Sequence, residues 1–401
     1  MGRRLSLCCL LLLACAGTAQ AAVQQPQTWA APSIRTVTAA GLMGAKSVAG
    51  FRAADPLTAQ TLENLVFDIK ARLTPEPEGG DAGTEPGWDP AVTDPTVTDP
   101  VTTTPGTTTP GTTTTGTTTP GTTTTTTTIA PDAAPKQVAS PNRPVPMWEL
   151  DARLVGALGL GDAAALFSKQ ARAAGLAVPS RFGTEVVARL LGLRLNHPAD
   201  EDALELRPQD TATRAEAAYS VAQILHFGDW QLSSVEAAAQ SFALPALSAW
   251  QSRILDTAVA RIGMPYVWGG TSDSAEAPFG VRSRGGYDCS GFVWRVYKLQ
   301  WYPGEGTLAS ALRGRTTYQM SGEVPAAKRV AFARLEPADV IFFGARGPRS
   351  TASEVDHMGI YLGNNWFIHS SGYGVALATL DGWYRREFAW GRRPLAEAGL
   401  S

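Results

Sequence analysis

Three residues in the last part of this 401-residue chain have the types and spacing for nucleophilic chemistry. Cys289 stands in "RGGYDCSGFVWRVY" (residues 284–297), where a Gly-rich loop gives way to a helical pattern. A thiol attacks a carbonyl well only as thiolate, and the unpaired N–H groups of a helix N-terminus favour that form. Asp288 is suited to cap such a helix, which places Cys289 in its first turn. The same N–H groups would later hold an oxyanion. Gly285, Gly286 and Gly291 leave room for a substrate to approach. A nucleophilic cysteine also needs a base. His357 opens the run "HMGIYLG" and His369 lies near the end of "WFIHSS", with the turn signal Gly363-Asn364-Asn365 between them. Folding there would set the two histidines close to opposite one another on paired strands. One imidazole could then serve the thiol while the other orients it. Either histidine alone reads as an ordinary core or strand residue, and it is their pairing with Cys289 that points to catalysis. A metal site built from Cys289, His357, His369 and Asp288 matches no usual zinc spacing, and no cofactor is called for.

The elements that must position these residues are legible nearby. "WQSRILDTAVARIG" reads as a helix ended by Gly263. "DCSGFVWRVYKL" reads as a second helix, with Phe292, Val293, Val296 and Leu299 as core candidates. The runs "DVIFFG", "HMGIYLG", "WFIHSS" and "GVALATL" read as short strands. Helices followed by a meander of strands imply an α+β domain with an antiparallel sheet. Seven of the eleven tryptophans fall between Trp250 and Trp390, which suggests a separately packed core.

The rest of the chain sets the context. Arg3 and Arg4, the apolar run Leu5–Ala16 and the small residues Ala19-Gln20-Ala21 form a signal-peptide pattern over residues 1–21. A lipobox-like Leu12-Leu13-Ala14-Cys15 is the second reading of this segment. Cys8, Cys9 and Cys15 fall inside it, so the mature chain would keep Cys289 as its one thiol. No later segment is long and apolar enough to span a bilayer. The formal charge is −2, with no basic block, which argues against nucleic acid as a partner. Residues 74–146 read as a Thr/Pro/Gly-rich disordered linker; Thr102–Thr128 contains only those three residue types and has nothing with which to build a core. Helical patterns flank it at 22–73 and 147–246. Thr213 with Glu216 forms a capping-box signature. His226 sits near a helix end, and His197, before Pro198, reads as a loop residue.

Two resemblances follow. "FRAADPLTAQTLENLV" and "LRPQDTATRAEAAYSV" share a cadence that resembles the S-layer homology repeat, with the hallmark at Thr213-Arg214-Ala215-Glu216. This implies anchoring to a secondary cell-wall polymer. "GMPYVWGG", "YDCSGFVWRVY", "LEPADVIFFG" and "DHMGIYLGNNWFIHSS", in that order, resemble the NlpC-like cell-wall cysteine peptidases over residues 250–393. That resemblance implies a papain-like fold for residues 247–401 and hydrolysis of peptidoglycan stem peptides, most often between γ-D-glutamate and diaminopimelate. It implies Cys289 as nucleophile, His357 as base and His369 as orienting member. It also implies Tyr266 beside the thiol, and Asp288 and Ser290 as holders of the stem peptide. Ala338 stands where the family commonly has Gly, and the loop from Thr271 to Tyr287 looks longer than usual. A secreted, wall-associated endopeptidase is the leading expectation. An amidase or acyltransferase of the same fold, or an inert wall-binding protein, are the alternatives.

Overall fold

The structure, a computed structural model, describes residues 28–44, 47–48, 50–73 and 134–400. The signal-like segment with Cys15 and most of the Thr/Pro/Gly stretch lie outside the described residues.

Seven α-helices lead the described chain: α1 (Ala31–Ala39), α2 (Ala59–Leu73), α3 (Met147–Ala157), α4 (Gly161–Ala173), α5 (Phe182–Leu190), α6 (Arg214–Ile224) and α7 (Asp229–Ser241). Each is amphipathic or buried as its spacing predicts; α2 buries Leu62, Leu65, Val66 and Ile69 on one stripe. Thr213 caps α6, its hydroxyl accepting from Glu216 N–H at 3.2 Å. The reciprocal half of the capping box is not made. The Glu216 carboxylate turns instead to His197 Nε2 at 3.4 Å. His197 lies in a loop, as read, and is buried there, its ring edge-on to Trp29 at 4.6 Å. His226 meets the Ala222 carbonyl at 2.5 Å near the end of α6, the contact its position suggests.

Three extended segments close a ring at the centre of this helical part. Leu57 N–H donates to the Ala212 carbonyl (2.8 Å), Ala212 N–H to Val145 (2.8 Å), and Val145 N–H to Leu57 (2.9 Å). All three residues are buried, and the segments lead into α2, α6 and α3 respectively. The sequence comparison aligned only two of these units. The third, entering α3 through "RPVPMW", lacks the Thr-Arg-Ala-Glu signature. The linker expected to reach residue 146 therefore ends earlier. Gln60 donates to the Lys136 carbonyl (3.0 Å) and accepts from Val138 N–H (3.1 Å), fastening the chain after residue 133 onto α2.

The second half follows with α8 (Ala249–Val259), the two-residue strands β1 (Thr271–Ser272) and β2 (Gly286–Tyr287), α9 (Cys289–Trp294), α10 (Leu308–Ala311) and α11 (Thr317–Gly322). Strands β3 (Val340–Gly344), β4 (Val355–Gly363), β5 (Trp366–Ser371), β6 (Gly374–Thr379) and β7 (Phe388–Arg392), with α12 (Gly382–Glu387) before β7, complete it. The five long strands form an antiparallel sheet in the order β6-β5-β4-β3-β7. The fold is α+β, as the pattern of elements predicts. Phe292, Val293 and Val296 of the cysteine helix are fully buried. Leu299, expected in the core, is 48% exposed. The helix widens into a π-turn over Arg295–Leu299, which rotates Leu299 off the face that a 3.6-residue repeat would give it.

One face of the sheet, with Phe342, Met358 and Ile360, packs toward the helices; the other carries Ile341, Phe343, Tyr361 and Phe367. The expectation of a separately packed core is not met. The Trp366 ring of β5 packs on Phe167 of α4 (5.8 Å) and on Phe242 just after α7 (5.1 Å). One apolar core runs from Ala30 to Leu395. Charged groups cross the same junction: the Arg189 guanidinium of α5 donates to the carbonyls of Tyr373 and Gly263. Residue 246/247 marks a change in composition rather than a break in packing. Among the described residues, no helix is long and apolar enough to cross a membrane.

Candidate active site

The site is assembled at the start of α9. Asp288 caps the helix, its Oδ1 accepting from Gly291 N–H. Cys289 thus occupies the first turn, 8% exposed. Its Sγ lies 3.5 Å from Thr317 Oγ1 at the start of α11 and 3.9 Å from the Asp356 carbonyl at the start of β4. A bulge prepares that carbonyl. Phe343 pairs with His357 and Gly344 with Val355, so Asp356 has no ladder partner on β3. The sulfur therefore rests against the backbone immediately before His357.

His357 and His369 meet, with Nε2 of the first 2.7 Å from Nδ1 of the second. The two residues sit diagonally rather than directly opposite one another. Ile360 pairs with Ile368 and Tyr361 with Phe367, a register that sets His369 opposite Gly359 and diagonal to His357. Gly359 makes the diagonal contact feasible: a Cβ there would lie 3.0 Å from His369 Cβ and 2.9 Å from the Ile368 carbonyl. The turn between the strands is as read, with Asn364 (φ 48°) and Asn365 (φ 67°) both left-handed, the form that two-residue hairpin loops favour.

The two imidazoles are bedded on aromatic rings that sequence reasoning did not single out. Phe343 stacks on His357 (5.7 Å), Phe367 lies 4.7 Å from His369, and Tyr384 of α12 meets His369 edge-on at 5.4 Å. This apolar bed disfavours charge. Burial lowers His357 to about 4 and takes His369 well below the usual histidine range, with the neighbouring His357 adding to the effect. The thiol is displaced the other way. Burial, and then the Asp288 carboxylate, push Cys289 up to about 12. Burial here opposes the effect expected of the helix terminus, and both displacements favour the uncharged forms of thiol and imidazole.

The remaining expected site residues lie around the sulfur. The backbone of Pro265–Val267 runs beside β2: Tyr287 N–H donates to the Pro265 carbonyl (3.1 Å) and Val267 N–H to the Tyr287 carbonyl (3.2 Å). This brings Tyr266 to the residues just before Cys289. Burial raises its phenol, and Cys289 and Asp288 raise it further. Ser290 Oγ donates to Asp288 Oδ1 (2.9 Å) and Gly269 N–H to Asp288 Oδ2 (3.0 Å). Arg315, overlooked in the sequence, binds all of these: it donates to Ser290 Oγ (2.6 Å) and the Gly269 carbonyl (3.0 Å) and lies 3.4 Å from Asp288 Oδ2. Much of the polar capacity of Asp288 and Ser290 is thereby spent inside the protein. Its signal was available in "RTTYQM", where Arg315 stands two residues before Thr317. The glycines also serve a different purpose from the one expected. A Cβ on Gly291 would collide with the Gly270 carbonyl, and one on Gly286 would lie 2.6 Å from the Pro265 carbonyl, so they admit the protein's own backbone. Among the described residues, no three His, Cys, Asp or Glu side chains converge as a metal-ligand set.

The model of the NlpC/P60 family matches residues 263–393, which contain every site residue above. Residues 263–393 form an NlpC/P60 domain. The chain is 34% identical over 133 residues to "Probable peptidoglycan endopeptidase LytE" of Bacillus subtilis, across 33% of this chain and 31% of that protein. It is 32% identical to "Murein DD-endopeptidase MepH" of Escherichia coli, across 35% of this chain and 44% of that protein. It is 25% identical to "Gamma-D-glutamyl-L-lysine dipeptidyl-peptidase" of Bacillus subtilis, across 36% of this chain and 41% of that protein. The match thus spans less than half the length of each relative, and the likeness is that of the NlpC/P60 domain.

Proposed function

We propose that this protein is a wall-associated cysteine endopeptidase that cuts stem peptides of peptidoglycan, with Cys289 as nucleophile, His357 as base and His369 as orienting residue. The observation that carries this reading is the 2.7 Å pair of imidazoles beside the strand residue that touches the Cys289 sulfur. With Nε2 of His357 donating to Nδ1 of His369, Nδ1 of His357 remains to take the thiol proton. As that proton moves, sulfur bonds to the scissile carbonyl carbon. The oxyanion is received by the Cys289 backbone N–H and the Tyr266 phenol. His357 then hands the proton to the leaving amine as the C–N bond breaks. Water, deprotonated by His357, attacks the thioester, and the C–S bond breaks to restore the thiol. Since the resting pair is neutral, the thiolate forms during attack, on substrate binding. Asp288 and Ser290, held by Arg315, border the position of the acyl portion.

The γ-D-glutamyl to diaminopimelate bond is the proposed target. The γ-D-glutamyl specificity in the name of one relative supports it, while the murein DD-endopeptidase name of another makes the bond a necessary measurement. Digestion of muropeptides with the full-length protein, read by mass spectrometry, tests both parts. New fragments beginning with diaminopimelate are expected, and Cys289→Ala should abolish them; activity retained in that variant would refute the nucleophile. Products formed only with an added acceptor amine would favour the acyltransferase reading. Attachment of the helical part to a secondary wall polymer is a further proposal, motivated by the three-membered ring of repeated segments, and is tested by co-sedimentation with purified walls before and after polymer extraction.

A further inference from the structure

A cleft lined by none of the candidate site residues lies where the helical part meets the NlpC/P60 domain. It is about 280 Å³, close to the lower end of the roughly 300–1,000 Å³ usual for ligand sites. Its walls come from the end of α5, the outer face of α6, the first turns of α7 and the β5–β6 turn. Three aromatic residues line it: Tyr219, Trp230 and Tyr373. Trp230 is 65% exposed and Tyr373 48% exposed, a large uncovered aromatic surface for two residues sharing one concavity. Between them stand Gln223, Gln231 and Ser234; the other lining residues are leucines and a glycine, so none is charged.

The aromatic groups are held in place. Arg189 donates to the Tyr373 carbonyl, fixing the turn. The Tyr373 ring lies over Gly192, whose φ of +64° and missing side chain make the space; a Cβ there would sit 3.6 Å from Tyr373 Cε1. Gln231 uses Oε1 to cap α7 through Gly228 N–H (2.7 Å), which leaves its amide N–H₂ as donor. The lining thus combines flat apolar faces with neutral amide and hydroxyl groups.

That chemistry selects among ligands. A stem peptide carries carboxylates, for which the cleft offers no cation. An acyl chain would leave the amides unpaired at a cost. An uncharged sugar strand satisfies both features, since the C–H faces of a pyranose pack on aromatic rings while its hydroxyl and acetamido groups meet Gln and Ser. We propose that this cleft binds the glycan strand of the wall, as a neutral N-acetylated sugar chain, separately from the peptide-cutting site. Tyr373 is four residues beyond His369, a chain reach of at most roughly 14 Å, so one substrate could engage both sites. The proposal takes from the hydrolase reading only that the stem peptide hangs from such a strand.

The test is binding of chitotetraose, an uncharged N-acetylglucosamine tetramer, to full-length Cys289→Ala protein by titration calorimetry. Saturable binding is expected, weakened at least tenfold in Trp230→Ala and several-fold in Gln223→Ala, with thermal melting unchanged because Trp230 is largely exposed. No heat of binding at millimolar sugar, or equal affinity in both variants, would overturn the proposal. Binding of an acidic wall polymer in competition with chitotetraose would overturn the neutral-glycan assignment. The readout needs no turnover, so failure of the hydrolase reading and failure of this one are seen separately.

Discussion

The Glu185 carboxylate of α5 fills the space that a side chain at Gly263 would need, so the helical part of the chain is moulded onto the first residue of the NlpC/P60 domain. Gly263 also has φ +83°, a region costly for other residues. Gly263→Ala should lose about 2 kcal/mol or more of stability, seen as a lower Tm. For the same reason, residues 247–401 alone should fold poorly. Without Phe167 and Phe242, Trp366 faces water, and near-UV circular dichroism of the fragment should be weak beside that of the full chain.

The diagonal histidine pair depends on a missing side chain. Gly359→Ala should leave the sheet formed but push the imidazoles apart, lowering kcat/KM by about 10²-fold or more while Tm falls modestly. His369→Ala should act mainly on kcat, in the range of roughly 10²–10⁴-fold, and His369→Asn should recover part of it by offering an acceptor to His357 Nε2.

A neutral thiol predicts a distinctive titration. With Cys289 pushed up to about 12, the rate of alkylation by iodoacetamide in the absence of substrate should be slow at pH 7. It should rise about tenfold per pH unit through pH 10. An ion-pair thiolate would instead react at a rate independent of pH from about 5 upward. The acid limb of kcat/KM should fall near pH 4, where His357 takes a proton and ceases to be a base.

Glu205 carries a pH signature in stability. Its Oε1 accepts from His197 N–H at 2.6 Å, and burial raises it to about 7 from an ordinary 4.5. Between these values the folded state holds a proton that the unfolded chain releases. Its contribution is complete below about pH 4.5 and is lost as the pH rises through 7. At 1.36 kcal/mol per pH unit of displacement, the whole effect is on the order of 3 kcal/mol at most. Glu205→Gln keeps the acceptor and removes the proton equilibrium. The Tm of the variant should therefore gain on that of the native protein between pH 4.5 and 7.5, a difference that cancels the titration of other groups.

The elements around Cys289 were legible because each rests on local chemistry: Asp288 as cap, Asn364-Asn365 as turn, short runs rich in β-branched and aromatic residues in β3 to β5. What escaped the sequence was non-local. The register that sets His369 opposite Gly359, the aromatic bed of Phe343, Phe367 and Tyr384, and the Arg315 clamp all join residues distant along the chain. Burial of the thiol escaped for the same reason, since a helix terminus is visible in sequence and desolvation is not. One departure noted from the family pattern gained a physical meaning: Ala338 has φ +68°, which explains why Gly is the common residue there.

The ring joining Leu57, Val145 and Ala212 changes what the Thr/Pro/Gly stretch can do. The chain leaves at Leu73 and is fastened again beside Gln60, at the two ends of one helix, about 20 Å apart at roughly 1.5 Å per residue. The stretch is thus an insertion pinned at both bases, and it gives the NlpC/P60 domain no freedom to roam from the helices. Adding or deleting repeats of it would alter closure entropy by only about 0.6 kcal/mol per doubling in length. A protease cutting within it would leave two fragments that migrate as one particle under native conditions and separate only in denaturant.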